Sequence, residues 1–245
     1  MKSVLTSVAV IALLAVRAGA TETVDDVIAR HIAARGGVKK IQAIQSLRMT
    51  GRATTGPGRV ALVSRQMKRP GRLRTEVAFQ GMTGVYIWDG VHGFEVAPFN
   101  GSMDLGALTP ENAQLAEQQA DIDGPLVDWQ AKGHKLELLG RTTVGDRQLL
   151  ELVVTLKSGA VLKDYFDPAT YLLVRTESTR AYKGHNVQVE TILGDYRKVG
   201  GVLFPYSIDS GAAGRPTRLR VVVDKIELNP ALDDARFSIP GTDAK

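Results

Sequence analysis

Histidines, cysteines, activated serines and paired carboxylates are the usual material of catalytic and metal sites, and this 245-residue sequence arranges them for neither purpose. The four histidines, His31, His92, His134 and His185, are far apart, and none has a partner at the i, i+2 or i, i+4 spacing of a metal pair. There is no G-x-S-x-G elbow, no serine set beside a histidine in a catalytic arrangement, and no phosphate loop in the region 84–93. With no cysteine, disulfides, thiolate ligands and thiol nucleophiles are excluded. Asp121 and Asp123 are close carboxylates, but Asp123 is better explained as a helix cap than as a proton-transfer group. His31 falls on or beside an apolar helical stripe and reads as a packed histidine. The expectation is a non-enzyme with no catalytic residues, no metal and no cofactor.

The stretch from Phe99 to Gly133 is where the chain changes character. Pro98 to Leu108 reads as a loop unusually rich in large apolar residues. Thr109 is an N-cap with Pro110 at the first helical position, and Leu115, Ala116 and Ile122 follow at helical spacings. Asp123-Gly124-Pro125 reads as the start of a second short helix carrying Leu126, Val127 and Trp129, ended by Gly133.

On both sides of this interruption the sequence alternates apolar and polar residues between Gly-rich turns. Five strands are expected before it, from Ser46 to Ala97, and seven after it, from Leu136 to Leu228. Their short connections imply antiparallel neighbours. About 11–12 strands in one sheet accumulate twist and must curl, so the expected fold is mainly β (α+β): a curved antiparallel sheet, its concave side filled by a helical plug over residues 109–133 and by an N-terminal helix. That helix opens with a capping-box-like Thr23 and Asp26, carries Val24, Val27, Ile28 and Ile32 as one stripe, and stops at Gly36-Gly37.

Met1 to Ala20 has Lys2, an apolar run from Val4 to Val16 and a small-x-small site at Ala18-Gly19-Ala20, which reads as a signal peptide cleaved after Ala20. The alternative, a retained membrane anchor, rests on Arg17 so near the cut. The mature single domain, 21–245, would be soluble, and without cysteine it carries no lipoprotein anchor. Loss of Lys2 and Arg17 lowers the basic count from 31 to 29 against 26 acidic residues, so the net charge falls from +5 to +3, too little for a nucleic-acid partner. Arg65, Lys68, Arg69, Arg72 and Arg74 alternate with apolar residues as a solvated strand face would; the alternative is a dock for an acidic partner or anionic headgroups.

Four stretches together carry a resemblance: Arg35-Gly36-Gly37, Ala120 to Trp129 (ADIDGPLVDW), Asp195 to Pro205 (DYRKVGGVLFP) and Asn229 to Phe237 (NPALDDARF). In these the chain resembles the outer-membrane lipoprotein-sorting proteins of the LolA/LolB-like superfamily. The resemblance implies an unclosed β-barrel with a helical lid, an apolar cavity for acyl chains, and a periplasmic carrier of lipids or lipoproteins. Implied partners are lipid or lipoprotein acyl chains, envelope donor and acceptor proteins and a transiently contacted membrane, with the carrier a monomer. On that reading Trp88, Phe99, Met103, Leu105, Leu108, Leu115, Leu126 and Trp129 form the cavity wall and lid, with Trp88 at the rim beside Asp89-Gly90. Two other readings stay open: an envelope sensor or interaction module on the same curved sheet, and a hydrolase whose histidines converge in space.

Overall fold

The computed structural model describes residues 22–56, 58–182, 184–216 and 218–238; the signal peptide read over Met1 to Ala20 lies outside the described residues. The chain opens with α1 (Val24–Arg35). Thr23 Oγ1 accepts from the Asp26 N–H at 3.2 Å while the Asp26 carboxylate accepts from the Thr23 N–H at 3.1 Å, so two otherwise orphaned donors are satisfied reciprocally. The helix ends where the Gly36 and Gly37 N–H groups turn back onto the Ala33 and Ile32 carbonyls. Gly36 has φ +122°, and a Cβ there would stand 2.2 Å from the Gly201 carbonyl oxygen, so only glycine lets the helix end meet the later strand turn. A short α2 (Val38–Gln42) follows.

The strands are β1 (Ser46–Thr55), β2 (Val60–Lys68), β3 (Arg72–Phe79), β4 (Met82–Trp88), β5 (Gly93–Ala97) and β6 (Ser102–Ala107), then, after α3 (Pro110–Ala120), β7 (Lys135–Val144), β8 (Arg147–Thr155), β9 (Val161–Phe166), β10 (Leu173–Tyr182), β11 (His185–Val199), β12 (Val202–Ala212) and β13 (Arg218–Leu228). Among the described residues they form one antiparallel sheet of thirteen strands in the order β6-β5-β4-β3-β2-β1-β13-β12-β11-β10-β9-β8-β7. Two meanders are joined where β1 pairs with β13, and β6 and β7 are left as free edges. The sheet is curved and unclosed, as expected. No helix among the described residues is long and apolar enough to cross a membrane.

Two local expectations are corrected. The stretch read as an apolar loop contains a 3₁₀ turn, Pro98–Asn100, and then β6, which pairs Ala107 with Phe94 and Gly106 with Glu95, giving thirteen strands instead of 11–12. As an edge strand β6 buries little, so it lacks the one-sided pattern that marks a half-buried strand. The second short helix is absent: residues 121–134 run as turns, because Gly124 (φ +80°), Asp128 (φ +53°) and Gly133 (φ +75°) all adopt left-handed conformations that a continuous helix does not admit.

Packing is divided between two clusters on the inner face. Ile41, Leu47, Met67, Leu73, Trp88 and Val223 close against Ala116 and Ala120 of α3. Val27 of α1 and Leu126 close against Leu150, Leu152, Val154 and Phe166. His31 is buried at their margin, edge-on to Phe166, and its Nδ1–H donates to the Tyr171 carbonyl at 2.8 Å. Burial depresses its pKa to about 4, so the ring is neutral. The outer face carries the charges. Across β9 to β13, the Tyr165 hydroxyl donates to Glu177, Arg175 bridges Glu177 (2.6 Å) and Glu190 (3.0 Å), and Arg218 joins Glu190 to Asp209. The C-terminal segment covers the outer face of β2 and β3, where Phe237 is buried and Arg236 donates to Gln66 at 2.7 Å.

Candidate functional site

Side chains directly opposite each other in an antiparallel pair share a face, so the pairing register defines the inner surface. Leu47, Met49, Ala53 and Thr55 of β1 lie level with Met67, Arg65, Ala61 and the end of β2, and with Leu228, Ile226, Val221 and Leu219 of β13. At the end of the strands nearest the helices this surface is closed by α3. At the other end it is open, and Ala53, Ala61, Val77, Phe79, Met82, Phe99 and Leu219 line an apolar groove of about 380 Å³ with Thr55 and Arg59 at its margin. Phe99 lays its ring on Gly84, which has no Cβ to obstruct it, and meets Phe79 edge-to-face at 6.3 Å.

Residues 108–134 run from one free edge of the sheet to the other, and α3 lies within this strap. Its far end is pinned. Arg69, in the β2–β3 turn, grips the Asp123 carboxylate with both terminal nitrogens, and half-buried Arg35 of α1 donates to the Asp123 carbonyl at 3.0 Å. Lys132 donates to Asp121 at 2.6 Å and to the Gly124 carbonyl at 2.8 Å. Burial would raise the Asp123 carboxyl, but the hydrogen bonds and charge of Arg69, backed by Lys132 and Arg35, hold it below the ordinary range. Asp123 is therefore an anchor, not the helix cap expected of it.

α3 is flanked by openings on both sides. One, of about 370 Å³, is walled by Pro125, Lys132, His134, Leu156 and Leu162. The other, of about 320 Å³, lies between α3 and strands β2 to β5, and its floor is a row of four polar residues level with one another: Arg65, Thr75, Tyr86 and Glu95. Arg65, like Arg69 on Asp123, departs from the solvated face expected of the basic cluster. Lys68 and Arg72 do reach Asp234 on the outer side, and Arg74 reaches Glu76, but Arg65 points inward beneath α3. Its parity with Met67, two residues on, was the signal that assigns it to the inner face.

The residues expected in the cavity wall are not gathered into one surface. Leu108 and Leu115 line the 320 Å³ pocket under α3. Phe99 lies in the open groove. Met103 and Leu105 stand exposed on edge strand β6. Trp88, expected at the rim, is buried in the packing beneath α3, because its partner Leu73 places it on the inner face at the closed end. Leu126 is buried under α1, and Trp129 is half-buried in the turn that follows. Sequence reasoning missed Ala53, Ala61, Val77, Phe79 and Leu219, whose apolar side of the pattern is shared with ordinary core. The histidines do not converge: His92 is exposed beside Asp89, His134 accepts from the Lys157 N–H at 3.1 Å, and His185 is at the tip of the β10–β11 hairpin. Among the described residues, no three His, Asp or Glu side chains gather where a metal ion could sit.

This geometry, an unclosed sheet with a helical strap over its inner face, recurs among solved structures. A LolA superfamily protein from Nitrosomonas europaea superposes with a TM-score of 0.58 at 12% identity, over 89% of this chain and 99% of that one. The fold is LolA-like. A DUF1329 family protein from Desulfovibrio piger gives a TM-score of 0.58 at 11% identity over 89% of this chain and 98% of its own. A domain from Vibrio parahaemolyticus described as an outer membrane lipoprotein-sorting protein gives 0.55 at 10% identity over 86% and 94%. No protein-family model and no curated protein matches the sequence. At such identities the LolA-like likeness establishes the fold and leaves function to the site.

Proposed function

We propose that this protein binds the apolar chain of a lipid or lipoprotein along its inner face and carries it through the periplasm between envelope donor and acceptor partners, touching the membrane transiently and working as a monomer without chemistry of its own. The observation that carries the reading is the open apolar groove at Ala53, Ala61, Val77, Phe79 and Leu219, where Ala61, Val77 and Phe79 are only half-buried and Leu219 stands exposed. The LolA-like fold, the lipoprotein-sorting description of one neighbour and the signal-like run from Val4 to Val16 support it. Burying about eight methylenes there contributes roughly 6 kcal/mol, midway between millimolar and micromolar affinity, which suits reversible loading.

The test is calorimetric titration of the mature protein with dodecanol, a neutral twelve-carbon chain, held below its solubility limit. Saturable binding by the wild type, lost in Val77→Glu with the circular dichroism spectrum unchanged, is the expected result. No binding by the wild type, or undiminished binding by a folded Val77→Glu protein, sinks the carrier reading.

A further inference from the structure

Arg65 is half-buried beneath α3, and its guanidinium has little to hold. Of its five N–H donors, Nη2 reaches Gln119 Oε1 at 3.1 Å, while Nε is sealed from solvent and has no hydrogen-bond partner. Thr75, directly opposite on β3, has a buried hydroxyl in the same condition. Burial lowers the Arg65 pKa, and among the described residues no carboxylate offsets it. Glu95, at the far end of the same polar row, is three strand spacings away, about 14 Å between backbones, and makes no ion pair with Arg65 among the described residues. Arg65 and Thr75 line the 320 Å³ pocket, and each carries a sealed polar atom without a partner, an arrangement that is costly in an empty protein and complementary to an oxyanion that draws those groups toward it.

The pocket is also in line with the trough. Arg65, Val63 and Ala61 follow one another on the inner face of β2, so the guanidinium lies about 13 Å along the strand from the wall of the open groove. We infer that the pocket under α3 is a head-group site: Arg65, with Thr75 and Gln119 beside it, takes the oxyanion head of a single-chain amphiphile whose apolar tail lies along β2 toward Val77 and Phe79. This rests on the trough reading and adds to it the chemical class of the cargo. Carboxylate and phosphate heads share the required chemistry, and Glu95 disfavours heads that extend negative charge along the row.

The experiment compares dodecanol, dodecanoate and dodecyl phosphate by calorimetry in wild type, Arg65→Gln and Gln119→Glu. The wild type should bind at least one of the two anions ten-fold or more tightly than the alcohol, and the tighter anion identifies the head. Arg65→Gln should bind all three alike. Gln119→Glu supplies a carboxylate from the protein itself, so it should melt higher than the wild type and lose the preference for anions; it keeps the test decisive if Arg65→Gln does not fold. Equal binding of alcohol and anions by the wild type, or a preference that persists in either folded variant, overturns the head-group site and leaves the trough intact. Failure of the wild type to bind any of the three removes the trough reading, and the head-group site with it.

Discussion

Arg69 and Asp123 meet fork to fork, with Nη1 2.9 Å from Oδ2 and Nη2 against Oδ1, and so join the β2–β3 turn to the strap that returns from α3. The pair couples elements 54 residues apart in sequence, and Asp123 is itself buried. A bidentate pair of this kind fixes orientation as well as distance.

Removing one partner leaves the other unsatisfied, so Asp123→Asn should cost about 2 kcal/mol at pH 7, between an exposed and a fully buried pair. Because the folded carboxyl is held below its ordinary value of 3.8, the pair's contribution is complete above that pH and is lost as pH falls through the lower folded value. Urea midpoints of wild type and variant should therefore differ at pH 7 and draw together as pH falls below 3.8. Equal midpoints at pH 7 would show that the strap is held by packing alone.

Asp164 behaves in the opposite sense. Burial pushes its carboxyl up to about 6, against the hydrogen bond that the Thr176 hydroxyl donates, so its protonated form is the one that suits the inner face. Stability from this group is full below the ordinary value of 3.8 and is lost as pH rises through about 6. Asp164→Asn, which keeps an acceptor for Thr176, should stabilise the protein at pH 7.5 by on the order of 2 to 3 kcal/mol and not at pH 4. Thermal melts at the two pH values check it; a variant no more stable at pH 7.5 refutes it.

Leu126 packs under α1 with Val27, Leu150 and Leu152, away from the open groove. Leu126→Ala should lower stability by about 2–5 kcal/mol, as cavity-forming core changes do, and leave the dodecanol affinity of the folded protein within about two-fold of wild type. A selective loss of affinity without loss of stability would return Leu126 to the binding wall.

The fold was legible because most strands carry their own evidence. Strand limits read from alternation and turn residues fall within about two residues of those in the structure, from Ser46 at the start of β1 to Leu228 at the end of β13. The stretches behind the family resemblance also have physical reasons: Gly36 admits the Gly201 carbonyl, and the Asn229 side chain accepts from the Gln45 N–H at 2.7 Å, tying the end of β13 to the start of β1. The site was much less legible. Whether Leu126 or Val77 faces a void depends on what lies across from it, and neither composition nor period reports that. Arg65 was hidden for a different reason: Ser64, Arg65 and Gln66 put polar residues on both parities, so the inward guanidinium could be read only by counting back from Met67.

Because the strap is tied to β6 at one end and β7 at the other, it acts as a bowstring across the curved sheet. A string of fixed length cannot lift in the middle unless the two tips of the bow draw together or one knot slips. On the proposed carrier reading, cargo that raised α3 would therefore tighten the arc of the sheet or strain the Arg69–Asp123 knot. Loading, on that reading, would be felt at both rims, some distance from the cargo, where a partner gripping an edge strand would sense it.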